Sequence, residues 1–144
     1  MKRLVSMISW MKQRQWVLVV SVWMLGWAPA VLAAPGSWTA TAPGFMVAMS
    51  ERTADSASMT PPAGMTEPES RISGIQWRYR QPVGSQVKAW LCHPSRCVAL
   101  TGMRGMTQAL QGATAEAPLQ FRFALPPGQR PVRVQGLQVI VNYQ

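Results

Sequence analysis

Residues 137–143 read LQVIVNY, and large apolar side chains occupy every second position of this stretch. Leu137, Val139, Val141 and Tyr143 are spaced two residues apart, and side chains at that spacing share one face of a β-strand. The stretch therefore predicts a strand that packs one face against an apolar core.

The same alternation recurs at residues 75–80 (IQWRYR) and 119–125 (LQFRFAL). Shorter apolar runs, with Pro and Gly where the runs stop, add further candidate strands, and hardly any segment suggests a helix. We therefore predict an all-β fold, a small antiparallel β-sandwich or a partly open barrel of about seven short strands. The four shorter runs are residues 45–49, 87–91, 98–100 and 132–134.

The first 33 residues have the order of a secretory signal peptide. Four basic residues precede an apolar run at 16–28, and small residues follow it. That run is too short for a membrane-spanning helix, which needs roughly 17 to 25 residues. We predict cleavage after Ala33, a single exported domain over residues 34–144, and no stable membrane anchor.

The predicted signal peptide also carries part of the positive charge. The chain has 14 Lys and Arg against 5 Asp and Glu. Four of the basic residues and none of the acids precede residue 34, which leaves ten basic and five acidic residues. This balance suggests a mildly cationic surface and no nucleic-acid binding. Translation can begin at Met1 or at Met11 without changing the exported domain.

Two stretches lack a strand pattern. Residues 50–70 combine Ser, Thr, Pro and Gly with four of the five acids, and residues 102–118 are interrupted by Gly112. Such composition is typical of long surface loops. We predict a flexible loop at about residues 50–70 and a second irregular segment at residues 102–118.

The two cysteines of the chain, Cys92 and Cys97, flank its one histidine, His93. Outside the cytoplasm, a disulfide is the expected state of such a pair. If residues 93–96 form the loop of a hairpin, the cysteines are directly opposed, with Cα atoms about 4.5 to 5.5 Å apart, which a disulfide can bridge. The bridge then lies on the outer face with Trp90.

Metal binding and redox catalysis are weaker interpretations of the same pair. Zinc needs three or four ligands, and these three residues are the only soft donors of the chain. A thiol oxidoreductase needs Cys-x-x-Cys at the start of a helix. We therefore expect no metal and no cofactor, and an exposed His93 in the hairpin loop.

No group of titratable residues indicates catalysis, because most acids fall in a predicted loop and His93 has no evident acidic partner. We expect a protein that is not an enzyme, has no small-molecule substrate and acts through its surface. Arg78, Arg80 and Arg122 lie on polar strand faces, where they form either a cationic stripe for a partner or a simple solvated face. Arg96 is a further candidate for partner binding.

Three strings in the C-terminal half resemble the FlhE family of flagellar proteins. They are QWRY at 76–79, LCxxSRCVxL at 91–100 and QVIVNY at 138–143, in that order after a signal peptide. The resemblance implies a small periplasmic protein that acts as a chaperone or plug for flagellar rod assembly and the type III export gate. Such a protein limits premature polymerisation and proton leakage. The resemblance therefore implies flagellar rod or export-gate proteins as partners.

The last predicted strand is the candidate for partner contact. If it lies at a sheet edge, its unpaired backbone groups can bind an extended segment of another protein. Val139, Val141 and Tyr143 are the contact residues in that case.

Two other function classes remain open. A periplasmic glycan-binding module would use exposed aromatic residues, for which Trp38 and Trp90 are the candidates. A small hydrolase would need a pocket that brings Glu116 or His93 next to a nucleophile.

Overall fold

A computed structural model describes residues 35–144, which fold into β-strands, turns and loops. The predictions about the signal peptide, its cleavage after Ala33 and the start at Met1 or Met11 lie outside these residues. The described residues contain no helix long and apolar enough to cross a lipid bilayer. Their nine strands are β1 (Gly36–Ala42), β2 (Phe45–Val47), β3 (Thr53–Asp55), β4 (Ile72–Arg80), β5 (Lys88–His93), β6 (Arg96–Leu100), β7 (Arg104–Thr107), β8 (Gln120–Ala124) and β9 (Val132–Tyr143).

The strands form two antiparallel sheets. One has the order β1-β9-β4-β7, with β2 also paired to β9, and the other has the order β3-β8-β5-β6. The predicted antiparallel β-sandwich is confirmed, with nine strands instead of about seven. The runs at 132–134 and 137–143 are one continuous strand, β9, while β1, β3 and β7 were not predicted.

The predicted edge position of the C-terminal strand is wrong. β9 lies inside its sheet, with Val139 paired to Ala40 of β1 on one side and to Trp77 of β4 on the other. Val139 and Val141 are fully buried and Tyr143 is 9% exposed. The backbone of β9 is therefore occupied on both sides, and its apolar side chains belong to the core.

The core between the sheets contains a cluster of four aromatic rings. Tyr79 comes from the five-stranded sheet, and its ring centroid lies 5.1 Å from that of Phe123 in the four-stranded sheet. Phe121 stacks on Phe123 at 5.9 Å, and Phe45 meets Phe123 edge-on at 5.8 Å. The contacts of Tyr79 and Phe45 with Phe123 join the two sheets, because aromatic side chains bury large apolar areas and prefer such offset or edge-on geometries.

The predicted loop at residues 50–70 is partly ordered by the four-stranded sheet. β3 pairs with β8, and the Ser56 hydroxyl accepts a hydrogen bond of 3.0 Å from the Phe121 backbone N–H. Met59 is 1% exposed and forms a β-bridge with Leu119. The expectation of an irregular loop is therefore wrong for residues 53–55, which form β3, and for Met59, whereas most other residues of the segment have no strand structure.

The hairpin of β5 and β6 has the predicted register, and Cys92 and Cys97 form a disulfide with Cα atoms 4.0 Å apart. The loop is shorter than predicted, because His93 pairs with Arg96 and leaves only residues 94–95 as the turn. Leu91 is fully buried on the core face. The disulfide thus lies on the outer face of the sheet, as the sequence suggested.

His93 is buried, with 7% exposure, and the expectation of an exposed loop residue is wrong. The Ser95 backbone N–H donates to Nδ1 at 3.0 Å, so Nδ1 is an acceptor and Nε2 carries the proton. Nε2 then donates to the Thr114 carbonyl at 3.0 Å. The histidine therefore ties the hairpin tip to the segment that follows β7.

Candidate functional site

Four exposed arginines share the outer face of the five-stranded sheet. Arg78 and Arg80 point outward from β4 because the residues that alternate with them, Trp77 and Tyr79, are buried in the core. We call these two, together with Arg104 of β7 and Arg133 of β9, the arginine face.

Two arginines of this face are direct cross-strand neighbours. Arg78 of β4 is paired with Arg104 of β7. Like charges placed directly opposite each other on a sheet are destabilising. The arrangement therefore costs stability in the isolated protein, and an anion bound between the two guanidinium groups would offset that cost.

The arginine face has no carboxylate within the protein to neutralise it. All five acidic residues of the chain lie within residues 35–144, which the structure describes. Among residues 35–144, the one ion pair joins Arg122 to Asp55, in the other sheet. The five acids are Glu51, Asp55, Glu67, Glu69 and Glu116.

Two adjacent clefts open on the arginine face. The larger has a volume of about 380 Å³ and is lined by Arg80, Gln81, Pro82, Arg133 and Gln135. The smaller, of about 190 Å³, is lined by Arg78, Tyr79, Arg80 and Gly136. Arg80 borders both clefts and therefore lies at the centre of the site.

A β-bulge shapes this centre. The register between β4 and β9 shifts between Arg78 and Arg80, which places one extra residue on β9. Gly136 lies there with φ of +61°, a backbone conformation that residues other than glycine rarely adopt. A Cβ at Gly136 would lie 3.0 Å from Arg80 Nε, so the missing side chain makes room for the guanidinium group.

The predicted stripe of Arg78, Arg80 and Arg122 does not form. Arg122 lies on β8 of the opposite sheet, where its Nε donates to Asp55 Oδ1 at 2.7 Å and its Nη2 to Oδ2 at 3.0 Å. This hydrogen bonding lowers the pKa of Asp55 and raises that of Arg122. Arg122 is therefore engaged within its own sheet.

Arg96 also has an internal role. Its Nε donates to the Ala109 carbonyl at 2.9 Å, and Nη2 contacts the Gln111 carbonyl at 3.4 Å. The guanidinium group joins the start of β6 to the segment after β7, as His93 does beside it. Arg96 thus supports the fold next to the disulfide and lies apart from the arginine face.

We expect the Asp55–Arg122 pair to make stability depend on pH. The pKa of Asp55 is lower in the folded state than its ordinary value of 3.8, so its stabilising effect is complete above that value and disappears as the pH falls through the folded pKa. The variant Asp55→Asn should melt at a lower temperature than the parent protein at pH 7, and the difference should shrink as the pH falls below 3.8, because the carboxylate becomes protonated. Circular dichroism melts measure it. Glu51→Gln is the control, and an unchanged Asp55→Asn difference at low pH would contradict the assignment.

The two tryptophans considered for glycan binding differ in exposure, and Glu116, considered for a hydrolase, is exposed. Trp38 is 2% exposed, and its Nε1 donates to the Ala115 carbonyl at 3.0 Å. Trp90 is half-buried, so the two do not form a pair of exposed aromatics. Within residues 35–144, no three His, Cys, Asp or Glu side chains are grouped to hold a metal ion.

Sequence reasoning missed Arg104 and Arg133. Arg133 could have been found, because Val132 and Val134 alternate with it and place it on the polar face of a strand. Arg104 gave no such signal, because β7 (RGMT) has a glycine at its inward position.

Comparison with known proteins places this fold in a family. The sequence model described as flagellar protein FlhE matches residues 44–144. The chain belongs to the FlhE family of flagellar proteins. The match begins at residue 44, whereas the strings that resemble the family in the sequence itself begin at about residue 75. It confirms that resemblance and extends it over β2 to β9.

The FlhE relatives cover most of the chain. Flagellar protein FlhE of Yersinia enterocolitica is 32% identical over 134 residues, which is 88% of this chain and 94% of the relative. That of Escherichia coli K12 is 35% identical over 117 residues, or 78% and 88%. A crystal structure of FlhE superposes with a TM-score of 0.67 at 30% identity, covering 78% of this chain and 99% of that one. These relatives are named as flagellar proteins and not as enzymes.

Proposed function

We propose that this FlhE protein is exported to the periplasm and acts there on other flagellar proteins without catalysing a reaction. Its task is that of a chaperone or plug for rod assembly and the export gate, limiting premature polymerisation and proton leakage. Membership of the FlhE family carries the proposal. The predicted signal peptide and the disulfide agree with it, since disulfides persist in oxidising compartments.

The physical basis of such a role is a rigid scaffold with a charged surface that can bind a partner. The two sheets enclose a core of buried aromatic and aliphatic residues. The disulfide links β5 to β6 in the four-stranded sheet. A stable sandwich can present charged residues in fixed positions without unfolding. The arginine face is the surface that we propose for contact with flagellar partners.

A crosslinking pull-down from the periplasm of flagellated cells tests this function. The tagged full chain is crosslinked in living cells, and rod subunits and export-gate proteins are quantified by mass spectrometry. Enrichment of rod subunits supports the chaperone role, and enrichment of gate proteins supports the plug role. Cells that lack the flagellar basal body are the control. Recovery of neither group, or equal recovery in the control, would contradict the proposal.

The glycan-binding alternative has lost part of its basis. One of its two aromatic residues, Trp38, is in the core, and Trp90 alone does not form an aromatic platform.

A further inference from the structure

We infer that the arginine face binds an extended acidic segment of a partner polypeptide, with carboxylates at alternate positions. The partner's identity rests on the proposed function, whereas the chemistry of recognition rests on the face itself. The occupant is a peptide of the type Glu-x-Glu or Asp-x-Asp, lying across β4.

Charge complementarity is the first argument. Residues 35–144 contain ten basic and five acidic residues, an excess of five positive charges. Four of the ten bases are on the arginine face, and none of the five acids is within ion-pair distance of them. Arg122 is the one base of these ten that forms an ion pair, so four of the remaining nine share the arginine face, and this grouping attracts a negatively charged segment.

Spacing is the second argument. Arg78 and Arg80 are two residues apart on one strand, so their Cα atoms are separated by roughly 6.5 to 7 Å. Alternate side chains of an extended peptide have the same spacing, because the peptide has the same rise per residue. A peptide lying along β4 can therefore place one carboxylate near Arg78 and Arg104, and the next near Arg80 and Arg133.

The chemistry of the clefts favours a peptide over other anions. Guanidinium groups bind carboxylates and phosphates alike through two parallel hydrogen bonds, so a further group has to favour the peptide. On the wall of the larger cleft, the amide nitrogen of Gln81 donates to the Ser85 carbonyl, while its buried amide oxygen has no donor among the described residues. A peptide backbone brings N–H donors to this wall, whereas a phosphodiester has none.

Fluorescence anisotropy with a defined probe tests the inference. The probe is a labelled nine-residue peptide with Glu at alternate positions and Thr between them, and the matched peptide has Gln in place of Glu. The oxidised full-length protein should bind the Glu peptide and not the Gln peptide. The double variant Arg80→Gln/Arg133→Gln should lose affinity at least about tenfold, since it removes two charge-assisted contacts, which are stronger than neutral hydrogen bonds.

The control variant removes the same charge elsewhere. Arg52→Gln/Lys88→Gln replaces two exposed bases outside the arginine face, and we expect less than a twofold change in affinity. Equal losses in the two double variants would show attraction by net charge alone and would overturn the inference. Circular dichroism melts verify that both variants fold.

A second variant tests geometry without changing charge. Gly136→Ala places a methyl group 3.0 Å from Arg80 Nε and should weaken peptide binding by displacing that guanidinium. Gly128→Ala is its control, because Gly128 also has a positive φ, of +79°, but has no atom within 4 Å of the added Cβ. Equal effects of the two alanines on binding would contradict the role assigned to Arg80.

Other outcomes separate this inference from the proposed function. Binding to phosphatidylglycerol vesicles through the same arginines, without binding to the Glu peptide, would assign the face to a membrane and overturn the inference. If Arg80→Gln/Arg133→Gln recovers flagellar proteins as well as the parent chain does, the inference fails while the function stands. If the parent chain recovers no flagellar proteins in the pull-down but still binds the Glu peptide, the proposed function alone is contradicted.

Discussion

Replacing Phe123 by alanine should lower the free energy of unfolding by about 3 to 5 kcal/mol, the largest effect we expect from a single substitution. Phe123 is fully buried and contacts the rings of Phe45, Tyr79 and Phe121. Its loss leaves a cavity where the two sheets meet, because close-packed neighbours relax only partly. The contacts of Tyr79 with β8 weaken at the same time.

Thermal and urea denaturation measure this effect. For a domain of this size, we expect a decrease in melting temperature of about 10 to 20 °C. Phe123→Leu, which retains much of the apolar volume, should lose less, and Val83→Ala at a fully exposed position should change nothing. A Phe123→Ala protein as stable as the Val83→Ala control would show that the two sheets do not pack through this cluster.

Replacing Trp38 by alanine should be nearly as destabilising, at about 3 to 5 kcal/mol. Trp38 fills the core under β1, and its indole N–H reaches the Ala115 carbonyl, 77 residues away in sequence. The variant Trp38→Phe keeps most of the ring but removes the donor. It should cost about 1 to 3 kcal/mol, the usual cost of a buried polar group that loses its partner.

Urea denaturation of both Trp38 variants separates the packing effect from the hydrogen bond, provided that the slope with denaturant is unchanged. Trp90→Phe is the control, because Trp90 is half-buried on the outer face. The same proteins can be tested for retention on peptidoglycan. Reduced retention with unchanged stability for Trp38→Phe would contradict the core position of Trp38 and revive the glycan-binding alternative.

The sequence predicts the fold class because apolar and polar side chains alternate along every long strand that has one face in the core. β4, β8 and β9 all follow that pattern, and their buried faces are those that the pattern indicates. The hairpin register was also predictable, since a disulfide between residues 92 and 97 fixes which residues are opposite each other.

The missed strands have small residues where the pattern requires large ones. In β7, a Cβ on Gly105 would lie 2.5 Å from the ring of Trp77, which already fills that space. In β1, Gly36 faces Tyr143 in the same way, with 2.6 Å between such a Cβ and the ring. The partner strand supplies the apolar volume in both cases, so the strand itself shows no periodic signal.

The candidate site was only half predictable for a related reason. Alternation shows that Arg78 and Arg80 point outward, but it does not show which strands are neighbours. The order of the sheets places Arg104 and Arg133 beside them and moves Arg122 to the opposite sheet. Likewise, the central position of β9 depends on the pairing of β1, which the sequence pattern does not show.

Site-specific photocrosslinking tests the central claim, that this protein contacts flagellar proteins through the arginine face. A photoreactive amino acid is placed at Gln76, which is exposed on that face, or at Ala99, which is exposed on the other sheet. After irradiation of flagellated cells, we predict crosslinks to a rod or export-gate protein from position 76 and none from position 99. Crosslinks from position 99 with none from position 76 would contradict the account.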